Sequence, residues 1–438
     1  MFSRHAPSAG RIPLVTLALL GAMGAGFAKP VSPRALTDAG SSPVQVADPF
    51  ADEDRPRTDS QFTTSPAPLP PNMSSLGFHD TGTAEFGDLI RLAGPAHFIE
   101  SITVTLSSWA LHSDFPALPR AGFAHPVTLN IYAPEYSGGR ARPGKLLATQ
   151  TRRFLIPFRP EPDPMAASAL RPWRGPDGSH FPGVAFNIRF DLDELELSLP
   201  DEVIVAVAFD TQHHGIAPLA VPGAYNSLHV GLSEQPANPG TDVEPDAVFW
   251  KSSRAEHYTD AGAAGWGVLR RDTGWAPYKP AIRVNNSAYG MIFAVDTLLR
   301  TIRTDNAAIE AKLDDLADLT ELALDRRNWQ TTGRLEPAAG AVVFELLEDA
   351  ALEFEAVAQS APPLATDARQ AISALLSAAE SIAEVAVGDA LFAGGNALRL
   401  SQAEGSLAAG ATSNGPVRSD QAIEAFGAAW REAQRSLP

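Results

Sequence analysis

Apolar positions change their spacing once along this chain. From about residue 81 to 287 they recur every second residue in short runs broken by Gly, Pro and Asn, and from Met291 onward every three or four. The first spacing is that of strands and the second that of helices. Ile102, Val104 and Leu106 share one face of a predicted strand, with Thr103 and Thr105 on the other. Val127-Thr128-Leu129-Asn130-Ile131-Tyr132 repeats the alternation. Further strands are expected at 146–158, 184–192, 203–209, 227–232, 247–250 and 281–284. No helical stretch separates them, so residues 76–290 read as an antiparallel β-sandwich, Ig-like or jelly-roll-like, and the whole chain as multidomain β plus α.

In the second region Ile292, Val295, Leu299, Ile302, Asn306, Ile309, Leu313, Leu316, Thr320 and Ala323 follow one another at alternating steps of three and four. That pattern predicts one long helix from Met291 to about Asn328, with Asn306 as a polar residue inside a buried seam. Pro337 opens a second helix that stops at Pro362-Pro363, Thr366 caps a third, and shorter ones follow at 397–409 and 419–436. Residues 291–438 thus form a helical bundle whose later helices offer enough apolar face to bury the seam within one chain, and a monomer is expected.

The start of the chain has neither pattern. Arg4, His5 and Arg11 precede an apolar run from Ile12 to Ala25, and Gly26-Phe27-Ala28 places small residues where a signal peptidase cuts. Residues 1–28 are therefore expected to be a cleaved signal peptide, and the mature chain to be secreted or periplasmic, with no transmembrane segment. Residues 29–75 are Pro-, Ala- and Ser-rich and read as a disordered spacer. The net charge is −17, and 22 acidic side chains stand against 11 basic ones over residues 291–438. So acidic a chain repels nucleic acid and anionic membranes. It has no cysteine, which removes disulfide staples, thiol catalysis and thiolate metal sites. The preference for Arg and Ala suggests a GC-rich bacterial genome.

The run Glu85-Phe86-Gly87-Asp88 through Leu92-Ala93-Gly94, then Ser101-Ile102-Thr103-Val104-Thr105-Leu106-Ser107-Ser108-Trp109-Ala110, resembles a family of uncharacterised secreted bacterial β-rich proteins. His125 to Tyr132, Ile156 to Pro160, Leu199 to Ile204 and the stretch from Val248 to Tyr278 belong to the same pattern. The resemblance covers about residues 80–285 and implies an exported β-rich domain, with no catalytic residue to carry over. The closing segment, Asp420 to Gln434, is similar to the last helix of helical domains appended to other secreted proteins.

Several motifs propose chemistry. Asp80-Thr81-Gly82 and Asp272-Thr273-Gly274 are spaced like the two loops of a pepsin-like protease, in which two carboxylates share a proton. Their predecessors, Phe78-His79 and Arg270-Arg271, are not the apolar strands such loops follow, and Asp/Gly turns explain both. Gly139 to Lys145 has phosphate-loop spacing, but Leu146 stands where Ser or Thr would hold magnesium. Asp210, His213 and His214 could supply metal ligands, although adjacent histidines on a strand point to opposite faces. Asp191 and Asp193, with Glu194 and Glu196, could form a calcium site. Trp173, Trp266, Trp275 and Tyr258 could stack on sugar rings or anchor a protein, with Trp173, in a Pro/Gly-flanked loop, expected to be exposed. The expectation is a non-catalytic binding or structural protein without an obligatory cofactor, directed to carbohydrate or a surface protein. A secreted hydrolase acting on glycan or peptide is the alternative.

Overall fold

A computed structural model describes residues 45–46, 60–166, 168, 170–210, 228–259, 265–412 and 419–438. The strands are β1 (Gln45–Val46), β2 (Ser60–Thr63), β3 (Ser75–Gly77), β4 (Thr83–Arg91), β5 (Ile99–Ser108), β6 (Phe123–Ser137), β7 (Arg140–Ile156), β8 (Trp173–Arg174) and β9 (His180–Phe181). They continue as β10 (Val184–Asp191), β11 (Glu202–Ala208), β12 (Leu228–Ser233), β13 (Thr241–Asp242), β14 (Ala247–Ser252), β15 (Arg270–Thr273), β16 (Lys279–Pro280) and β17 (Ile282–Asn286). A short helix α1 (Phe78–Thr81) precedes β4. Helices α2 (Ala288–Thr301), α3 (Ala307–Ala323), α4 (Gly340–Ser360), α5 (Ala365–Phe392), α6 (Ala397–Ala411) and α7 (Ser419–Ser436) complete the chain.

Two large sheets, antiparallel apart from the β1–β7 pair, pack face to face. The first runs β1-β7-β6-β11-β4-β14-β15, with β13 also on β4. In the second, β10 covers one edge of β5, while β17 takes the other edge at Ile99–Val104 and β12 takes it at Leu106–Ser108. The core between them draws alternate residues from both: Phe86, Ile90, Val203, Val205 and Leu129 from the first, Ile102, Val104, Phe186 and Ile188 from the second. Alternation puts this set inside and the intervening residues outside, and one sheet contributes too little area to be stable by itself. β2 lies inside the stretch read as spacer, yet it pairs with β17 and buries Phe62.

The predicted long helix is two helices. The chain leaves helical geometry at Ile302, and Asn306 is the N-cap of α3, its Oδ1 accepting from the amides of Ala308 and Ile309 at 3.1 and 3.4 Å. Asn306 is exposed rather than buried in a seam. The apolar period survives the break because α2 and α3 turn the same stripe toward α4 and α5, burying Val295, Leu299, Ile309, Leu313 and Leu316. Residues 362–392 form a helix long and apolar enough to cross a membrane by length and composition, contrary to the expectation that no such segment follows the leader. Its apolar face, including Leu375, Ile382 and Val387, is buried against the other helices.

Sheets and helices belong to one unit, residues 43–438. Ser287, directly after β17, donates its amide to Phe98 O at 2.6 Å and accepts from Gly290 N at 3.1 Å, so the last strand passes straight into α2. Phe98 meets the rings of Tyr289 and Phe293 edge-on at 5.4 Å each. Glu100, 2 % exposed, pairs with Arg189 at 3.0 Å and accepts from Ser381 of α5. Arg334 bridges the two parts, pairing with Asp193 on the sheet side and with Asp389 at 2.7 Å on the helix side.

Candidate functional site

The sequence candidates separate once their surroundings are known. Trp173 is buried, not exposed: the β8–β9 ribbon folds its loop inward, the indole donates to Gly183 O at 2.6 Å, and the ring packs on Phe181. Tyr258 is also buried, its hydroxyl accepting from Ser252 N at 2.9 Å and its ring lying under the Arg270 guanidinium. Trp275 is half-buried and donates to Asp272 at 2.7 Å. Of the four, Trp266 alone stays open, 57 % exposed beside Val268 in the connection between β14 and β15.

The acidic candidates are engaged by arginine. Asp191 is held by Arg152 at 3.2 Å and Arg189 at 2.9 Å, and Asp193 by Arg334 and by Thr331 at 3.1 Å. Asp191, at the end of β10, thus meets Arg152 of β7 in the facing sheet, while Asp193 ties the sheet side to Arg334 in the segment between α3 and α4. Asp210 is exposed at the end of β11, and His213 and His214 lie outside the described residues. The residues 1–28 read as a signal peptide lie outside them too. Among the described residues no group of three or more His, Asp or Glu is arranged to hold a metal.

The two Asp-Thr-Gly motifs are unlike each other. Asp80 is exposed in α1, which Gly82 ends at φ +63°. Asp272 is fully buried in β15, where its Oδ2 accepts from Thr259 N, Thr259 Oγ1 and Trp275 Nε1. A carboxylate with three donors on one oxygen is a structural tie. A serine–histidine contact also occurs, Ser75 Oγ to His229 Nδ1 at 3.1 Å. Burial pushes His229 down to about 3, and its ring is stacked on Trp109. An imidazole that resists protonation so strongly is a poor general base, because the imidazolium formed during catalysis is unstable there.

The outward face of the first sheet carries the most organised polar surface. Cross-strand register aligns Thr151, Thr128, Ala208, Glu85 and Lys251 in one row, and Thr149, Asn130, Ala206, Gly87, Phe249 and Arg271 in the next. Ala206 and Gly87 in the middle of the face are buried and closely packed; a Cβ at Gly87 would meet Val205 O at 2.3 Å. Thr149 donates to Asn130, Asn130 and Tyr132 donate to Glu85, each at 2.8 Å, and Thr128 and Thr151 share a hydroxyl contact at 2.8 Å. Burial, then the charge of Glu85, raises the Tyr132 hydroxyl well above the ordinary tyrosine range.

The long β6–β7 ribbon curls over this face. Ala141, near its tip, packs with Leu89, Ile204 and Phe249 of the sheet and with Leu269 before β15, so that part of the face is covered. Tyr136 on the ribbon is 53 % exposed, and its hydroxyl donates to Glu202, which also accepts from Arg91 Nε at 3.1 Å. Shielding at the hydroxyl, then the bond to Glu202, pushes Tyr136 up to about 12, while the Tyr136 bond and the Arg91 pair lower Glu202.

Glu85 and Glu202 are the two carboxylates that accept from the tyrosines of this ribbon. Glu85 lies opposite Ala208 and Glu202 opposite Arg91, six ladder steps apart, or about 20 Å along the strands. Glycoside hydrolysis needs two acids within about 5–10 Å, so these two cannot act on one bond. The Thr128-Asn130-Tyr132 alternation was visible in the sequence; Glu85, Glu202 and Tyr136 were missed because only long-range pairing joins them to it. The chain matches no protein-family profile, no curated protein and no solved structure.

Proposed function

We propose that this protein is a non-catalytic binding module that holds a polyhydroxylated ligand, a glycan chain, on the outward polar face of its first sheet and the β6–β7 ribbon. The observation that carries the reading is the pairing of an exposed, hydroxyl-anchored Tyr136 ring with the connected Thr149–Asn130–Glu85–Tyr132 network. A sugar ring presents a C–H face that stacks on an aromatic ring and hydroxyls that both donate and accept, which a Thr/Asn surface ordered from beneath by Glu85 answers. Successive strands alternate between the two sheets (β4 and β5, β10 and β11, β11 and β12), which favours the jelly-roll-like over the Ig-like type. The apolar leader ending at Gly26-Phe27-Ala28, together with the likeness to exported β-rich proteins, supports a place outside the cytoplasm. The helices then serve as a base for the recognition sheet, in a monomer.

The test is affinity electrophoresis of the full chain through a panel of cell-wall and capsular polysaccharides. At least one should retard it, and Tyr136→Ala should weaken that retardation about tenfold, near 1.4 kcal/mol, with an unchanged melting temperature. Failure of every polysaccharide to retard the folded protein would refute the reading.

A further inference from the structure

Between the two sheets lies a set of charges that glycan binding does not use. Lys279, in β16, is 7 % exposed, and its Nζ is 3.0 Å from Oδ2 of Asp242, itself 8 % exposed in β13. The approach is off-axis for a hydrogen bond, and neither Asp242 oxygen has a well-aligned donor. Asp88, 1 % exposed, is on the same inward face of β4 as Ile90, the residue opposite Asp242. That diagonal places the two strands' Cβ atoms roughly 7–8 Å apart, within reach of one another's side chains. β14 pairs with β4 only as far as Gly87 and β13 only from Ile90, so Asp88 occupies the gap between them, flanked on its own face by Phe86 and Ile90. Burial and the charge of Asp242 hold the Asp88 carboxyl well above the usual range, which favours its protonated form.

The geometry points to a self-formed amide bond between Lys279 Nζ and Asp242 Cγ, with Asp88 as its proton relay. The parts suit the reaction. A lysine amine is a nucleophile once it has lost its proton, and contact with a carboxylate oxygen leaves the carbon one bond farther off. The ammonium of Lys279 passes a proton to the Asp242 carboxylate, giving a neutral amine and a neutral acid. The amine lone pair attacks Cγ and forms the C–N bond. Asp88 takes a proton from the nitrogen and returns one to an Asp242 oxygen, and the C–O bond breaks to release water. The product is a neutral amide, no oxidant is required, and Asp88 ends as it began. The bond would tie β13, in the first sheet, to β16, in the second, closing residues 242–279 into a covalent loop in a chain without cysteine. Such a tie limits the unfolded ensemble as a disulfide does.

Mass spectrometry of a tryptic digest of the full folded chain decides the matter. Residues 190–251 hold Asp242 and residues 272–283 hold Lys279, with no cleavage site inside either, since Pro280 blocks the bond after Lys279. After several days at neutral pH the wild type should give one branched peptide, lighter by one water than the two together. Lys279→Met should give none, and Asp88→Asn should form it about 100-fold more slowly. Separate, full-mass peptides from the wild type would overturn the proposal, whether or not the variants fold. Cross-linking of Asp88→Asn at the wild-type rate would remove Asp88 from it.

Discussion

A single side chain's worth here depends on which side of a sheet it reaches. Trp173 illustrates this: its loop, 160–182, is rich in Pro and Gly, yet the indole is spent on Gly183 O inside the fold. Trp173→Ala should therefore lower stability by about 3 kcal/mol or more, the usual cost of emptying a buried aromatic position, and leave glycan retention intact. Denaturant titration beside affinity electrophoresis checks both halves. His229 gives a pH signature. The unfolded chain takes up its proton near the ordinary value of about 6.5, the folded chain only near 3, so acid favours unfolding between those limits. Stability should fall by about 1.4 kcal/mol per pH unit across that window from this group. In His229→Gln that part of the slope should vanish; an unchanged slope would show that other groups set it.

At the scale of elements, the sequence was legible wherever one rule applied to both ends of a segment. β5 and β10 alternate cleanly and were expected close to where they lie, whereas of β6 only the central Val127–Tyr132 was expected. β4 was not, because Glu85, Gly87 and Asp88 interrupt its apolar run, and all three are buried for reasons visible only across the sheets. The break between α2 and α3 was hidden by an uninterrupted apolar period, although Asp305-Asn306 carried a capping signal. It follows that Asn306 supports the helix it starts. Asn306→Leu should cost about 1 kcal/mol by removing the cap, with no change in sedimentation, whereas a polar residue in a buried seam would yield a more stable protein when replaced by Leu. The polar rows of the outward face were only half legible. The outward residues of β6 could be named from alternation, but their partners on β4, β7 and β11 come from register over long separations.

For the whole molecule, the junction is the decisive feature. Phe98 packs on α2, Glu100 accepts from Ser381 of α5, and Asp193 is paired with Arg334 from the segment between α3 and α4, so separation would leave the Asp193 carboxylate and an aromatic ring uncovered. Losing one partner of a buried ion pair is costly, since the remaining charge is left desolvated. The full chain should accordingly melt in one transition, with strand and helix signals coincident, and Arg334→Met should lower that single midpoint. Two separated transitions would show the sheets and helices to be independent. The claim on which the account turns is that the outward face of the first sheet is the binding surface. Amide hydrogen exchange of the full chain, with and without a polysaccharide that retards it, tests this most directly. The prediction is slower exchange in residues 128–151 and 85–91 and no change in α2 to α7; protection confined to the helices would contradict it.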